Sequence, residues 1–280
     1  MYEPDYEDFE HEERPRDEKI DEARDVLLRF FRENREGVYY TRQLQVRFEK
    51  QFFHWITGKA LNELVGGEVR EKRMELKSGA RVRFLFHKGN RYHTRQAKKM
   101  LSVIQEYSLP DNAIAAGMQA ELLFFTALAE AGFMAHGRNV NHFGGKKWTE
   151  TKHDLDFILA KDDLVYGCEV KNALDYIPGR ELEVKLRMCA FLGVKPLFIM
   201  RMSPKSYNNM VIEAGGYVMI FEAQVHPVSS RALVASMREV LSLPVDAPRA
   251  IPGGIIQRFL KWHRSRCNCE FCGDSHLAWA

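Results

Sequence analysis

The chain has 280 residues, enough for two ordinary domains, and 45% of them are hydrophobic while 28% are charged. This composition excludes a wholly disordered chain, and we find no apolar run that approaches the roughly 20 residues of a membrane helix. The acidic N-terminus excludes a signal or transit peptide, so we expect a cytoplasmic protein whose five cysteines are thiols or metal ligands.

The charges are unevenly distributed along the chain. Residues 1–22 contain 11 acidic and 3 basic residues, whereas residues 23–107 contain 19 Lys or Arg and 9 Asp or Glu. The acidic start lacks apolar periodicity, and we interpret residues 1–19 as a flexible tail. The basic block indicates a module that binds a polyanion, although a solvated basic surface explains the charge equally well.

Three helices and a β-hairpin are predicted in the basic block. Apolar residues at helical spacing from Ile20 to Phe30 predict a first helix that ends at Gly37, and Thr41 is the predicted N-cap of a second helix over 42–50. A third helix is predicted over 53–65. Alternating residues over 69–76 and 81–86 then predict a hairpin, and a helix over 94–107 leads to a break at 108–112, which contains a proline.

This order resembles a winged helix-turn-helix over about residues 20–92. In that family the third helix enters the major groove of DNA and the wing contacts the phosphate backbone. The resemblance implies base contacts from the outward residues of the third helix, His54, Thr57, Lys59 and Asn62. It implies phosphate contacts from the basic residues of the hairpin, Arg70, Lys72, Arg73, Lys77, Arg81 and Arg83. Winged helices also dock proteins, but the basic surplus of this segment favours DNA.

After residue 112 the predicted elements alternate in type, which indicates an α/β or α+β fold with helices packed on a sheet. In chain order they are a helix over 113–131, strands over 134–140, 155–159 and 165–171, a helix over 181–192, a strand over 196–200, a helix over 207–213 and a strand over 217–221. Two further helices are predicted over 230–241 and 254–264.

The most informative residues lie on two neighbouring predicted strands. Glu169 and Lys171 are two residues apart on one strand, so their side chains project from the same face. Asp156 begins the preceding strand and lies beside Glu169 if the two strands pair through a turn at 161–163. Such a hairpin would gather two carboxylates and an ammonium at the end of a sheet.

This arrangement resembles the PD-(D/E)-x-K nuclease superfamily, and the resemblance covers about residues 113–222. Leu155 stands where that motif usually has Pro, and Asp154 remains a rival for the role of Asp156. We prefer Asp156 because the apolar residues 157–159 follow it directly. Members of the superfamily, notably the archaeal Holliday-junction resolvases, carry a Glu on an upstream helix, where this chain has Glu121.

The resemblance implies Mg²⁺-dependent hydrolysis of phosphodiester bonds, with Mn²⁺ as a substitute. Mg²⁺ prefers oxygen ligands, and the implied ones are Glu121, Asp156, Glu169 and the carbonyl of Val170. Lys171 is implied to orient or activate the attacking water, while the metal would lower the pKa of that water and neutralise developing charge. The plain alternative is a surface salt bridge among Asp156, Glu169 and Lys171.

Several further residues are weaker candidates. Gln119, Asn172 and Lys185 lie near the motif in sequence, and we expect each at the surface rather than in the site. The loop 144–149 is basic, so Lys146 and Lys147 are candidates to clamp DNA. Trp148 in this loop either stacks on a base or anchors the loop.

The C-terminal cysteines predict either a structural zinc site or reduced thiols. Cys269 and Cys272 form a C-x₂-C pair, and Cys267 and His276 complete a set of ligand types that zinc prefers. His263 is a substitute for one of these ligands. Such a site would hold the tail in place rather than catalyse a reaction.

We therefore expect a restriction-endonuclease-like αβββαβ core sheet preceded by a winged helix domain. The segments are an acidic tail (1–19), a DNA-binding domain (20–107), a nuclease domain (108–228) and C-terminal helices with the possible zinc site (229–280). The first expectation is structure-specific cleavage of branched DNA by a cytoplasmic, nucleoid-associated homodimer, because resolvases cut two strands symmetrically. Sequence-specific restriction or mobile-element cleavage, an RNA substrate, and a DNA-binding regulator with a silent nuclease fold are alternatives. The intact set of Glu, Asp, Glu and Lys argues against the silent fold.

Overall fold

The computed structural model describes residues 17–267, in which the protein has mixed α and β structure. The chain forms two compact units. The first ends at Ile114 and also includes Ala232–Val245, and the second covers Ala115–Arg231 and resumes at Asp246. The boundary lies inside a helix that begins at Pro110, where a proline is well tolerated, rather than at the break predicted over 108–112.

The described elements follow one another in this order: α1 (Glu18–Glu33), β1 (Val38–Tyr40), α2 (Thr41–Phe48), α3 (His54–Leu64), β2 (Val69–Glu75), β3 (Arg81–His87), α4 (His93–Tyr107), α5 (Pro110–Glu130), β4 (Met134–Val140), β5 (His142–Phe143), β6 (Lys146–Lys147), β7 (Leu155–Lys161), β8 (Leu164–Lys171), α6 (Gly179–Leu192), β9 (Lys195–Met200), α7 (Lys205–Glu213), β10 (Tyr217–Ile220), β11 (Gln224–Val225), α8 (Arg231–Leu241), β12 (Val245–Asp246) and α9 (Gly253–Arg264). A short 3₁₀ helix, Val228–Ser230, precedes α8.

The first unit contains α1 to α4, most of α8 and a three-stranded antiparallel sheet in the order β1-β3-β2. Helices α1 and α3 pack together over a core that contains Leu27, Phe31 and Leu61, all fully buried. The prediction that Thr41 caps α2 is wrong, since Tyr40 is the N-cap and Thr41 is the first helical residue. Strand β1 was not predicted, because three residues are too few to show a period and pairing with β3 defines them.

The second unit is a five-stranded sheet in the order β10-β9-β8-β7-β4 with helices on both faces. Strand β7 is antiparallel to β4 and β8, while β9 and β10 continue in parallel from β8. Helices α5 and α9 pack on the face that contains Phe157 and Leu159, whereas α6 packs on the face that contains Ile158. A Cβ at Gly167 would meet side-chain atoms of three neighbours within 3.0 Å, so only glycine lets α6 approach β8 this closely.

Helix α5 is apolar as well as long. Its most apolar 18-residue window has a mean hydropathy of 1.3, so length and composition alone would permit a membrane span, contrary to the sequence expectation. Phe124 and Leu128 of this helix are fully buried against the sheet, although only 22% of that window is buried. The helix also carries Glu121, whose carboxylate is 3.6 Å from the guanidinium of Arg138.

Candidate active site and nucleic-acid interface

The ends of β7 and β8 bring the two acidic residues of the predicted motif together. The β7–β8 ladder pairs Phe157 with Cys168, so Asp156 and Glu169 are the next opposed positions along the two strands. Oδ2 of Asp156 accepts a hydrogen bond from the amide of Val170 at 2.6 Å. The aspartate is therefore fixed to the strand that carries the Glu-x-Lys sequence.

Glu169 is a buried carboxylate whose pKa is strongly raised. Burial and the nearby charge of Asp156 raise the pKa of Glu169 to about 8, while Lys185 opposes the shift. Burial likewise raises the pKa of Asp156, against the effects of the Val170 hydrogen bond and of the charges of Lys185 and Lys171. Two neighbouring carboxylates that both resist ionisation are stabilised by a nearby cation, which offsets their burial and mutual repulsion.

Lys185 is the closest such cation among the described residues. It lies on α6, and its Nζ donates to Oε2 of Glu169 at 2.5 Å and to the carbonyl oxygen of Asp154. The side chains of Lys185 and Glu169 are each only 7% exposed. The expectation that Lys185 lies at the surface is therefore wrong, because the packing of α6 against the sheet turns its ammonium inward.

Glu121 approaches the same carboxylates from α5. Burial and the charge of Asp156 raise the pKa of Glu121, while Arg138 on β4 opposes the shift. Nη2 of Arg138 lies 3.6 Å from Oε2 of Glu121, and its guanidinium also lies over the ring of Phe125. The charge of Asp156 thus raises the pKa of both Glu121 and Glu169.

Lys171 lies on the same strand face as Glu169 and is partly exposed. Its Nζ is 3.6 Å from Oε2 of Glu181, which lies in the first turn of α6. Glu181 also raises the pKa of Asp156 and of Glu169 through its charge. Sequence reasoning missed Glu181, because its spacing of four residues from Lys185 on one helix is also that of an exposed ion pair.

The structure distinguishes the two candidate aspartates. The side chain of Asp154 is exposed, and the residue contributes its backbone carbonyl to Lys185. Asp156 is coupled to Glu121 and Glu169 and lies at the end of the sheet. The geometry therefore favours Asp156 as the metal ligand.

Asn172, directly after the motif, has a structural role. Its side-chain amide donates to the carbonyls of Ala116 and Val225, and its Oδ1 accepts from the amide of Val225. These three hydrogen bonds hold the start of α5 and strand β11 against the end of β8. Gln119 is half-buried two residues before Glu121, about half a turn away on the same helix.

The basic loop over 144–149 includes strand β6, which pairs with β5 to form a hairpin. The turn between the two strands consists of Gly144 and Gly145, both at positive φ. Lys146 and Lys147 are exposed on it. Trp148 is only 4% exposed, and its Nε1 donates to Oγ1 of Thr151 at 2.9 Å. Of the two roles considered for Trp148, the structure therefore supports the anchor and not the stacking platform.

The outward face of α3 differs from the predicted one. His54 is buried and Thr57 has no exposed surface, so the prediction that both project outward is wrong. Thr57 lies four residues before Leu61 and shares its inward phase. Lys59 and Asn62 are exposed as expected, and Trp55, which was not predicted, is 43% exposed with Nζ of Lys59 lying over its ring.

The basic side chains of the β2–β3 hairpin fall into two groups. Arg70, Arg73, Lys77 and Arg81 are exposed. Lys72 and Arg83 are partly buried and have internal partners: Lys72 donates to Thr94, and Arg83 donates to both Glu71 and Asn62. Arg70 and Arg73 also have partners, the Gly66 carbonyl and Glu71, so it is their exposure that makes the first group the better set of candidates for phosphate contacts.

Three of the predicted zinc ligands, Cys269, Cys272 and His276, lie outside the described residues, while Cys267 lies within them.

Comparison with models of protein families, with curated proteins and with solved structures finds no match to this chain.

Proposed function

We propose that this chain is a Mg²⁺-dependent DNA endonuclease with a PD-(D/E)-x-K type of active site. The observation that carries the proposal is that Asp156 lies opposite Glu169 on the β7–β8 ladder, beside Lys171 and Lys185, while its charge also raises the pKa of Glu121. The element order α5-β4-β7-β8-α6-β9 supports the αβββαβ core expected of that superfamily, if β7 and β8 are taken as its second and third strands.

The acidic residues present fit a hard divalent cation. Their described contacts engage one oxygen each, Oε2 of Glu121, Oδ2 of Asp156 and Oε2 of Glu169, so a second oxygen of each remains as a ligand atom. Together with the Val170 carbonyl they would hold Mg²⁺, or Mn²⁺ in its place. When bound, the metal supplies a more acidic water and positive charge beside the scissile phosphate.

The chain's own residues account for the other requirements of phosphodiester hydrolysis. Lys171 is the more exposed of the two lysines, and its ammonium can contact a non-bridging phosphate oxygen or orient the attacking water. Lys185 is a positioning residue, because it is buried and holds the Glu169 carboxylate by a direct ion pair. The carboxylates would thus bind the metal, Lys171 would contact the phosphate or the water, and Lys185 would position Glu169.

We infer that the first unit captures the nucleic acid as a winged helix. Its order α1-β1-α2-α3-β2-β3 supports this reading, with α3 as the helix that enters the groove and β2–β3 as the wing. The exposed Lys59, Arg73 and Arg81 give it a basic surface. Preference for branched DNA, action as a homodimer and a place at the nucleoid in the cytoplasm rest on the resemblance to resolvases.

A cleavage assay tests the proposal. The purified full chain is incubated with Mg²⁺, Mn²⁺ or EDTA on labelled duplex, single strand, flap, fork, four-way junction and RNA. We expect metal-dependent cutting that Lys171→Met and Glu169→Gln each reduce by about 100-fold or more. Lys205→Met, which removes an exposed lysine from α7, is the matched control and should cut normally.

The same assay contradicts the proposal if every substrate is bound and none is cut with either metal. That result would favour the DNA-binding regulator with a silent nuclease fold. Preferred cutting of one duplex sequence over all branched substrates would favour the restriction or mobile-element alternative, and preferred cutting of RNA would replace DNA as the substrate.

A further inference from the structure

His263 is a fully buried histidine at the end of α9, remote in sequence from the proposed nuclease motif. Its ring lies against aromatic neighbours, with centroids 5.4 Å from Phe133 and 6.4 Å from Phe259. An imidazole in such a setting is costly unless both ring nitrogens have partners. The identity of those partners indicates what the residue can do.

Both nitrogens of His263 have a polar partner. Nδ1 lies 2.9 Å from the hydroxyl of Tyr166, and Nε2 lies 2.8 Å from Oδ2 of Asp162. The Tyr166 hydroxyl can donate to Nδ1 or accept its proton, according to the tautomer of the ring. Without a metal, Nε2–H donates to the Asp162 carboxylate; a cation between the two atoms would replace that proton, and Nδ1–H would then donate to the Tyr166 hydroxyl.

A thiol completes the group. Cys267 follows His263 by four residues, and its backbone amide donates to the His263 carbonyl at 3.1 Å, so the chain makes one more turn beyond α9. The ligand atoms of Asp162, His263 and Cys267 all lie within 4.8 Å of one another. Asp162 and Cys267 are both partly open to solvent, which gives an ion a route to the buried imidazole.

We propose that Asp162, His263 and Cys267 bind a zinc-class divalent cation. Carboxylate, imidazole and thiolate are the three side-chain ligand types of zinc, and the thiolate selects against Mg²⁺ and Ca²⁺. A zinc-bound histidine commonly donates its other ring N–H to an oxygen, and the Tyr166 hydroxyl occupies that position here. This assignment does not rest on the proposed nuclease activity.

The distances between the three ligand atoms require only small movements when the ion binds. Bonds of about 2.0–2.3 Å to a tetrahedral zinc hold the ligand atoms about 3.3–3.8 Å apart. The Nε2–Oδ2 distance of 2.8 Å must open by roughly half an ångström, and the thiol must close by up to about one. Asp162 lies in the two-residue β7–β8 turn and Cys267 beyond the end of α9, where small movements are easily accommodated.

The three residues would leave one position of a tetrahedral zinc for water. Bound zinc would connect the end of α9 to the β7–β8 turn. That hairpin also carries Asp156 and Glu169 at its opposite end, so the ion would stabilise the strand pair on which they lie.

Metal content of the intact protein tests the assignment. The full chain is stripped with a chelator, reloaded with Zn²⁺, dialysed and measured by inductively coupled plasma mass spectrometry. Co²⁺ loading provides a second readout, because a thiolate ligand gives cobalt a charge-transfer band in the near ultraviolet. We expect one zinc per chain and a cobalt–thiolate band.

Matched variants show which residues bind the ion. Asp162→Asn removes a carboxylate but tolerates the positive φ of 54° at this turn position, and Cys267→Ser is nearly isosteric. Each should weaken zinc binding by at least about tenfold, since changes even outside the ligand set cost about 10–100-fold. Asp163→Asn, at the neighbouring turn residue, should bind zinc normally. Circular dichroism of each stripped variant establishes that it is folded.

Two results would overturn the assignment. The first is absence of zinc from the reloaded chain, which would leave Asp162, His263 and Tyr166 as a hydrogen-bonded network only. The second is normal zinc binding by Asp162→Asn and Cys267→Ser together with its loss in Cys269→Ser/Cys272→Ser, which would place the ion in the tail alone. Neither readout depends on cleavage, so failure here is distinguishable from failure of the nuclease proposal.

Discussion

The ammonium of Lys185 lies 2.5 Å from Oε2 of Glu169, and burial and the charge of Asp156 raise the pKa of that glutamate to about 8. The two groups therefore form a full ion pair only in alkaline solution. Below about pH 7 the metal-free protein holds a buried ammonium against a largely neutral carboxyl group, which is an unfavourable arrangement. The contribution of Lys185 to the free energy of unfolding of the metal-free protein should therefore change sign with pH.

Lys185→Met tests that dependence. In EDTA at pH 6 we expect the free energy of unfolding to be unchanged or higher, because the variant removes a buried charge whose partner is neutral. At pH 9 we expect a loss of about 3 kcal/mol, because the ionised Glu169 is left buried without its cation. Urea denaturation at both pH values measures the change. Lys205→Met should show no difference between the two pH values, and an equal loss at pH 6 and pH 9 would contradict the idea.

Mg²⁺ binding should also depend on the ionisation of Glu169. Below its pKa of about 8 this carboxyl group must lose a proton before it can bind metal, so Mg²⁺ affinity should rise with pH between about 6 and 8. The expected slope is about tenfold in affinity for each pH unit, with one proton released per ion. Isothermal titration calorimetry in buffers of different ionisation enthalpy counts the protons. Glu169→Gln should bind Mg²⁺ weakly and without this slope, and a wild-type affinity that is constant with pH would refute the assignment.

Where the hydrophobic pattern spans a whole element, the sequence was sufficient to predict that element. The strand predicted over 165–171 is Leu164–Lys171, and the helix predicted over 181–192 is Gly179–Leu192. Strands β1, β5 and β6 have two or three residues each and were missed. Strands this short have no readable period, and their structure depends on pairing with a neighbour.

The candidate site was partly predictable for a related reason. Glu169 and Lys171 could be placed on one face because alternation along a strand is strict. Lys185 and Glu181 could not be assigned, because two opposite charges four residues apart on a helix are also the pattern of an exposed ion pair. Only the packing of α6 onto the sheet shows that the Lys185 ammonium is buried. Thr57 was misassigned because its polar type was given more weight than its phase.

Asp156 and Asp154 form a matched pair of substitutions. Asp156→Asn retains an oxygen that can accept from the Val170 amide, so the strand pairing survives while a metal ligand is lost. We expect cleavage to fall by about 100-fold or more, and Mg²⁺ affinity to fall with it. Asp154→Asn alters an exposed side chain and should cut within about twofold of the wild type. Cleavage rates on the preferred substrate decide between the two residues, and the opposite ranking would give the metal-binding role to Asp154.

Trp148 should contribute to stability rather than to DNA affinity. Its indole is buried, packs against Phe191 with centroids 5.7 Å apart and is bonded to Thr151, so Trp148→Ala should cost about 3–5 kcal/mol of unfolding free energy. The double change Lys146→Ala/Lys147→Ala should have the reverse profile, with nearly normal stability and weaker DNA binding. Thermal unfolding and fluorescence anisotropy separate the two effects. A folded Trp148→Ala protein that binds DNA much more weakly than the lysine variant would restore the stacking role.

The hairpin of the first unit offers a test of DNA binding that distinguishes exposed from internally bonded cations. Arg81 is exposed at the start of β3, whereas Lys72 on the paired strand donates to Oγ1 of Thr94 at 2.9 Å. Each cation that neutralises a phosphate contributes about 0.9 to the slope of log affinity against log salt concentration. Arg81→Ala should therefore weaken binding about equally for all sequences and lower the magnitude of the slope by about one. Lys72→Ala should reduce stability slightly and leave the slope unchanged. Anisotropy titrations on one duplex at several salt concentrations measure both, and an unchanged slope for Arg81→Ala would mean that β2–β3 does not contact the backbone as a wing.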